Sequence, residues 1–178
     1  MTDNDLPVDR LRRIELLMMD VDGVLTNGHI QFDHDGRETK SFHVHDAAGL
    51  IYWHRCGGES GFLSGRSGPI VEFRARELGI AEVHLGHLDK LPVLEEILDR
   101  RDLAPEQIAY VGDDLLDLPC LRRAGFSVAP ADARPEVRAE VDHVTTGGGG
   151  QGVVREIVEL LLRARGVWDR VVEQGGRP

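Results

Sequence analysis

The residues best equipped for chemistry stand at the end of an apolar run, in Leu16 to Asn27, LLMMDVDGVLTN. Asp20 and Asp22 follow the run with one residue between them, and Gly23 lies directly behind. Carboxylates are costly to bury unpaired, so two of them against a core strand need partners from elsewhere in the chain. Three later stretches can supply them. Ser64-Gly65-Arg66-Ser67 puts a small hydroxyl and a glycine before a helix start, the way backbone N–H groups are offered to an anion. Asp89-Lys90 brings a cation, and Gly112-Asp113-Asp114 with Asp117 adds further carboxylates.

Gathered in one place, these groups suit phosphoryl transfer. A hard divalent cation, Mg2+ before others, neutralises Asp20 and Asp113 and bridges them to a phosphate oxygen. Mg2+ takes few protein carboxylates and several waters, so two direct ligands and one backbone carbonyl suffice. Lys90 balances the remaining charge. Asp20, at the strand end, is placed to attack phosphorus. Asp22 can protonate the leaving alcohol, then deprotonate the water that cleaves the aspartyl-phosphate. The stretch at Ser64 lacks the Gly-Lys-Ser/Thr ending of a nucleotide-binding loop, which argues against nucleotide hydrolysis.

Gathering them requires a parallel sheet, whose carboxyl-end edge is where ligands bind. Strands are expected at Ile14–Met19, Gly61–Leu63, Val83–Leu85, Ile108–Val111 and Phe126–Ala129, with a weaker one at His143–Thr145. Helical patterns fall between and after them, at Ala47–Cys56, Pro69–Leu78, Leu91–Arg101, Leu116–Ala124, Arg134–Glu140 and Val153–Arg165. The alternation predicts an α/β, Rossmann-like parallel sheet with helices on both faces. Each chemical stretch then sits at a strand's carboxyl end. One segment departs from the alternation: His29–Val44 holds Asp35-Gly36 between polar/apolar stretches and reads as a protruding β-hairpin. Residues 1 to about 12 and the tail from Gly166 read as loosely held, and Gly147–Gly150 as a flexible loop.

Composition sets the outer bounds. The 178 residues are 41% hydrophobic and only 5% aromatic, which suits a single domain with an aliphatic core. With 21 basic against 31 acidic side chains the formal charge is −10, and no basic run is present. Nucleic acid and acidic membrane surfaces are therefore not expected partners. Cys56 and Cys120 belong to no metal or redox spacing and read as buried free thiols of a reducing compartment. MTDNDLPVDRLRR lacks the apolar stretch of a signal peptide, and no apolar run reaches the ~20 residues of a membrane span. The expectation is a cytoplasmic protein.

At these residues the chain resembles the haloacid dehalogenase superfamily, with four motifs in order. They are Asp20-Val21-Asp22-Gly23-Val24-Leu25-Thr26, Ser64-Gly65-Arg66, Lys90, and Gly112-Asp113-Asp114-Leu115-Leu116-Asp117. The resemblance covers roughly Ile14 to Arg165. It implies a catalytic set of Asp20, Asp22 and Lys90, phosphate binding by Ser64, Gly65 and Lys90, and Mg2+ held by Asp20, Asp22 and Asp113. Asp114 and Asp117 would support that set. Only 44 residues separate Asp20 from Ser64, and 26 separate Ser64 from Lys90, so neither gap holds a cap domain. The chain therefore looks like the capless branch of 3-deoxy-D-manno-octulosonate 8-phosphate phosphatases. That branch implies a small phosphate ester as substrate and a homotetramer built through the hairpin.

Two positions depart from the branch. His43-Val44-His45-Asp46-Ala47 stands where Asn-Val-Arg-Asp-Gly is usual, so His45 replaces an arginine suited to a sugar-acid carboxylate. Gln151 replaces a second arginine. These leave room for a related nine-carbon sugar acid phosphate as substrate. A role like the small subunit of phenylphosphate carboxylase, or a phosphorylated receiver domain, are rivals of other classes. His43 and His45, read as two apart on a hairpin strand, are expected on one surface, with His45 free to touch substrate. Trp53 and Tyr52 read as core or interface.

Overall fold

The Leu16–Met19 run becomes strand β1, buried along its whole length. The computed structural model describes residues 7–176. Before β1 lies helix α1 (Val8–Arg13), and after it a two-stranded hairpin, β2 (Gln31–Phe32) and β3 (Glu38–Thr39). Then follow α2 (Val44–Arg55), β4 (Glu59–Ser64), α3 (Pro69–Leu78), β5 (Glu82–Leu85) and α4 (Leu91–Arg101). The chain continues through β6 (Ile108–Val111), α5 (Leu118–Arg123), β7 (Phe126–Ala129), α6 (Pro135–Arg138) and β8 (His143–Val144). Helices α7 (Val153–Ala164) and α8 (Trp168–Glu173) close it.

Six strands pair in parallel in the order β5-β4-β1-β6-β7-β8. The chain leaves β1 toward β4 and β5, then returns to β6 on the other side of β1. This reversal opens a crevice at the carboxyl ends of β1, β4 and β6. Alternating side chains of each strand feed the two faces. Leu17 and Met19 join Trp53, Val71, Ile157 and Leu161 on one face, whereas Leu16, Met18 and Tyr110 join Leu94, Ile97 and Leu121 on the other. Helices thus cover both faces, as the alternation predicts, and among the described residues no inserted domain interrupts β1, β4 and β5. No helix of the described residues is long and apolar enough to cross a membrane.

Several expectations are corrected. The hairpin pairs only Gln31–Phe32 with Glu38–Thr39, and α2 begins at Val44 rather than Ala47. The cause is His43, whose Nδ1 accepts the His45 N–H at 3.2 Å and caps the helix. His45 is accordingly exposed on the first turn of α2, not on a strand. The Leu116–Ala124 helix is a 3-10 turn at Leu115–Asp117 followed by α5, whose Pro119 sits in the first turn, where a missing N–H costs nothing. Arg134–Glu140 shrinks to α6.

The described parts of both tails, residues 7–12 and 166–176, are more ordered than expected. Leu11 of α1 is buried, and residues 1–6 lie outside the described residues. Beyond Gly166, α8 buries Trp168 and Val171 in the larger core, and the guanidiniums of Arg155 and Arg163 lie 5.1 and 5.5 Å from the Trp168 ring. Cys120 is buried as expected, but Cys56 is only half-buried. The glycine run is not a loose hinge either. The Gly150 N–H donates to the Val24 carbonyl at 2.9 Å, and a methyl on Gly149 would lie 2.1 Å from the Gly23 oxygen. This loop is packed against the turn that carries Asp20 and Asp22.

Candidate active site

Asp20 ends β1 in place because its N–H continues the ladder to the Val111 carbonyl at 3.0 Å. Its Oδ1 accepts the Val21 N–H at 2.6 Å, and its Oδ2 lies 2.8 Å from Lys90 Nζ. Lys90, at the N-terminus of α4, is 1% exposed and also reaches Asp117 Oδ1 at 2.7 Å. Asp117 is fully spent: Oδ1 also takes the Tyr110 hydroxyl at 3.0 Å, and Oδ2 accepts the N–H groups of Asp113 and Asp114 at 3.1 and 3.3 Å. A single buried carboxylate therefore shapes the turn after β6 and holds Lys90 toward Asp20. Gly112 permits this, since a methyl there would meet the Asp117 Cβ at 2.3 Å.

One ligand oxygen each from Asp20, Asp113 and Asp117 can be drawn from a sphere in which all lie within 4.8 Å of one another. Since Asp117 has no lone pair in an open direction, the usable donors are Asp20 and Asp113. Asp113 Oδ1 is buried and has no hydrogen-bond partner. Burial, together with the charges of Asp117 and Asp20, pushes the Asp113 carboxyl up to about 8. The same burial and Asp117 raise Asp20 to about 6, with Lys90 pulling it partly back. Burial alone would lower the Lys90 ammonium, but Asp117 and Asp20 outweigh it and hold that group above its ordinary range. An orphaned carboxylate oxygen among like charges, with only oxygen donors in reach, fits a hard divalent cation.

Gly23 completes the wall. Its φ of +93° is one that side chains rarely adopt, and a methyl there would stand 2.1 Å from Asp113 Oδ2. Ser64 is buried at the end of β4, and its Oγ accepts the Arg66 N–H at 3.3 Å. Asp114 is exposed and caps the 3-10 turn through the Leu115 N–H at 2.7 Å.

Asp22 stands apart from the acidic cluster. Its carboxylate faces Lys40 Nζ at 2.5 Å, Thr26 Oγ1 at 3.3 Å and Arg66 Nε at 3.6 Å. Its side chain is engaged by these partners and not by Asp20 and Asp113, which is compatible with the expected set of Asp20, Asp22 and Asp113, since that set calls on two carboxylates and one backbone carbonyl. Nor is His45 in this cluster; its ring lies edge-on to His43, with centroids 4.9 Å apart. Gln151 is exposed on the glycine loop. Lys40 and Tyr110 are the residues that sequence reasoning missed. Tyr110 carries a readable signal, since it lies in an otherwise aliphatic strand directly before Gly112-Asp113. Lys40 carries none.

A sequence profile described as haloacid dehalogenase-like hydrolase matches residues 63–157. Together with the relatives below, this establishes that the chain belongs to the haloacid dehalogenase-like hydrolases. More particularly, it is 40% identical to the 3-deoxy-D-manno-octulosonate 8-phosphate phosphatase KdsC of Escherichia coli K12, over 94% of this chain and 89% of that protein. A crystal structure of 3-deoxy-D-manno-octulosonate 8-phosphate phosphatase from Moraxella catarrhalis, in complex with magnesium ion, phosphate ion and KDO, superposes with a TM-score of 0.91. It is 38% identical, with 94% of this chain and 96% of that one covered. The cobalt-bound enzyme of Haemophilus influenzae gives 0.89 at 38% identity, over 94% of this chain and 98% of that one.

Proposed function

We propose that the protein is a Mg2+-dependent phosphatase that hydrolyses 3-deoxy-D-manno-octulosonate 8-phosphate through an aspartyl-phosphate on Asp20. The observation that carries the chemistry is the placement of Asp20 between the Lys90 ammonium and the unpartnered Asp113 oxygen. The substrate rests on the likeness to the Escherichia coli and Moraxella catarrhalis enzymes. Asp20 and Asp113 would hold Mg2+, which supplies charge neutralisation and polarises a phosphate oxygen.

The chain's own residues account for the rest. Ser64 and the backbone N–H groups beside Gly65 receive the phosphate's peripheral oxygens, with Lys90 offsetting their charge. An Asp20 oxygen attacks phosphorus as the ester P–O bond breaks, and the proton on Asp22 passes to the departing alkoxide. Water then attacks the phosphorus of the aspartyl-phosphate, giving its proton to Asp22, as the P–O bond to Asp20 breaks, so that the Asp20 carboxylate is restored and inorganic phosphate leaves. Asp114 supports the turn through its cap, and Asp117 through Lys90 and the two N–H groups. His45, exposed on the first turn of α2 beside the His43 ring, would contact the sugar acid in place of the usual arginine.

Residues 1–178 form one domain working in the cytoplasm, consistent with two free thiols. Four copies associate through the hairpin, whose Phe32 is 63% exposed. Light scattering on the wild type and Phe32→Asp tests that association. The function is tested by phosphate release from a panel of sugar phosphates with Mg2+. Strong preference for the eight-carbon sugar acid ester, abolished by Asp20→Asn, is expected. Preference for a nine-carbon ester would discard the substrate and keep the chemistry, and release undiminished in the variant would discard both.

A further inference from the structure

We infer that Lys40 is a positioning residue for proton transfer: it holds Asp22 by Oδ1 and leaves Oδ2 as the oxygen that exchanges the proton. This rests on the acid/base role proposed for Asp22. The two oxygens of that carboxylate are in different situations. Oδ1 receives Lys40 Nζ at 2.5 Å and the Thr26 hydroxyl at 3.3 Å. Oδ2 is buried without a hydrogen-bond partner, and Arg66 Nε lies 3.6 Å from it.

Lys40 is built to do this. Its side chain is 4% exposed and forms an ion pair with a second carboxylate, its Nζ lying 2.9 Å from Glu38 Oε1. Glu38 is in turn held through Oε2 by Arg66 Nη2 at 3.0 Å. Asp22, Lys40, Glu38 and Arg66 therefore close a ring of alternating charge linking the first turn, the hairpin and the Ser64 loop. A lysine donates from a point and can satisfy one oxygen alone, whereas a guanidinium forks across both. A hairpin attached to the sheet by an ordinary ion pair has no need of that distinction. An acid that must present one free oxygen to a leaving group does.

The test exploits leaving groups. A sugar alkoxide needs a proton as it departs, whereas p-nitrophenolate does not. Single-turnover release of the leaving alcohol, the free sugar acid or p-nitrophenol, is measured from 3-deoxy-D-manno-octulosonate 8-phosphate and from p-nitrophenyl phosphate with Mg2+ for the wild type, Lys40→Met, Lys40→Arg and Asp22→Asn, because the later attack of water is common to both esters. Circular dichroism and thermal melting check the fold. Lys40→Met is expected to slow the sugar ester by about 100-fold and the aryl ester far less. Lys40→Arg, which preserves charge and carries the test should Lys40→Met not fold, is expected to show the same contrast. Equal losses on both esters would make Lys40 merely structural and overturn the proposal. Full recovery of the sugar ester in Lys40→Arg would overturn it too, because charge alone would then suffice. If wild type cleaves neither ester, or Asp22→Asn shows no contrast, the acid/base reading itself has failed and this proposal falls with it.

Discussion

Lys90 and Asp117 form an ion pair of 2.7 Å in which neither side chain is more than 1% exposed. It sits directly beneath Asp20, whose Oδ2 shares the same ammonium at 2.8 Å. Buried pairs contribute little net stability, but deleting one partner strands the other and costs about 3–5 kcal/mol. Asp117→Ala is expected to lose that much in urea unfolding and most of the activity. Replacing both partners, as Lys90→Met with Asp117→Leu, should recover part of the stability and none of the activity. A single variant that is stable and fully active would contradict this account of the pair.

Gly23 is a second point of leverage. A methyl at this position meets both a φ of +93° and the Asp113 carboxylate. Displacement of Asp113 by about 1 Å is enough to cost about 100-fold in rate. Gly23→Ala should therefore lose at least that much phosphate release and also the thermal stabilisation given by Mg2+.

The metal-free protein should respond to pH with a definite sign. Asp113 is raised to about 8 and Asp20 to about 6 in the fold, against 3.8 for the unfolded carboxyl. The folded state therefore binds more protons across this window. Their contribution to stability is complete below about 3.8 and is lost as pH rises through 6 and 8. Melting in EDTA should fall between pH 6 and pH 8, and Mg2+ should restore more at pH 8 than at pH 6. A change of about 1 kcal/mol moves the midpoint by ~2–4 °C at this chain length. A melting temperature independent of Mg2+ at both pH values would rule out the cation site.

The sheet and the acidic site were legible because apolar runs ending in Asp, Ser or Gly mark the carboxyl ends of buried strands. Asp20, Ser64, Lys90 and Asp113 converge where the strand order reverses, which the alternation of elements anticipates. Features fixed by contacts remote in the chain were not legible. Lys40 meets Asp22 across 18 positions with no local spacing to announce it. The Gly147–Gly150 run reads as flexible by composition, yet Val24 and Gly23 hold it by close backbone approach. Helix α2 starts early because a histidine acts as its cap, outside the usual Ser, Thr, Asp and Asn set.

Helix α8 was hidden for a different reason. Only Trp168 and Val171 of that helix are buried, too few positions to reveal a helical period in a polar tail. Those two side chains nevertheless lie in the main core, so the tail is structural. Trp168→Ala should destabilise by about 3 kcal/mol, and ending the chain at Gly166 by more, as read by urea midpoints. Unchanged midpoints would mean that α8 does not pack in solution as it does here.

Phosphorylation of Asp20 is tested most directly by rapid-quench mass spectrometry of Asp22→Asn mixed with 3-deoxy-D-manno-octulosonate 8-phosphate and Mg2+. With the base removed, breakdown is slowed, and a phosphoryl adduct should accumulate on the peptide that contains Asp20 and decay to inorganic phosphate. An adduct on another residue, or phosphate release at full rate from Asp20→Asn, would contradict the assignment of Asp20 as nucleophile.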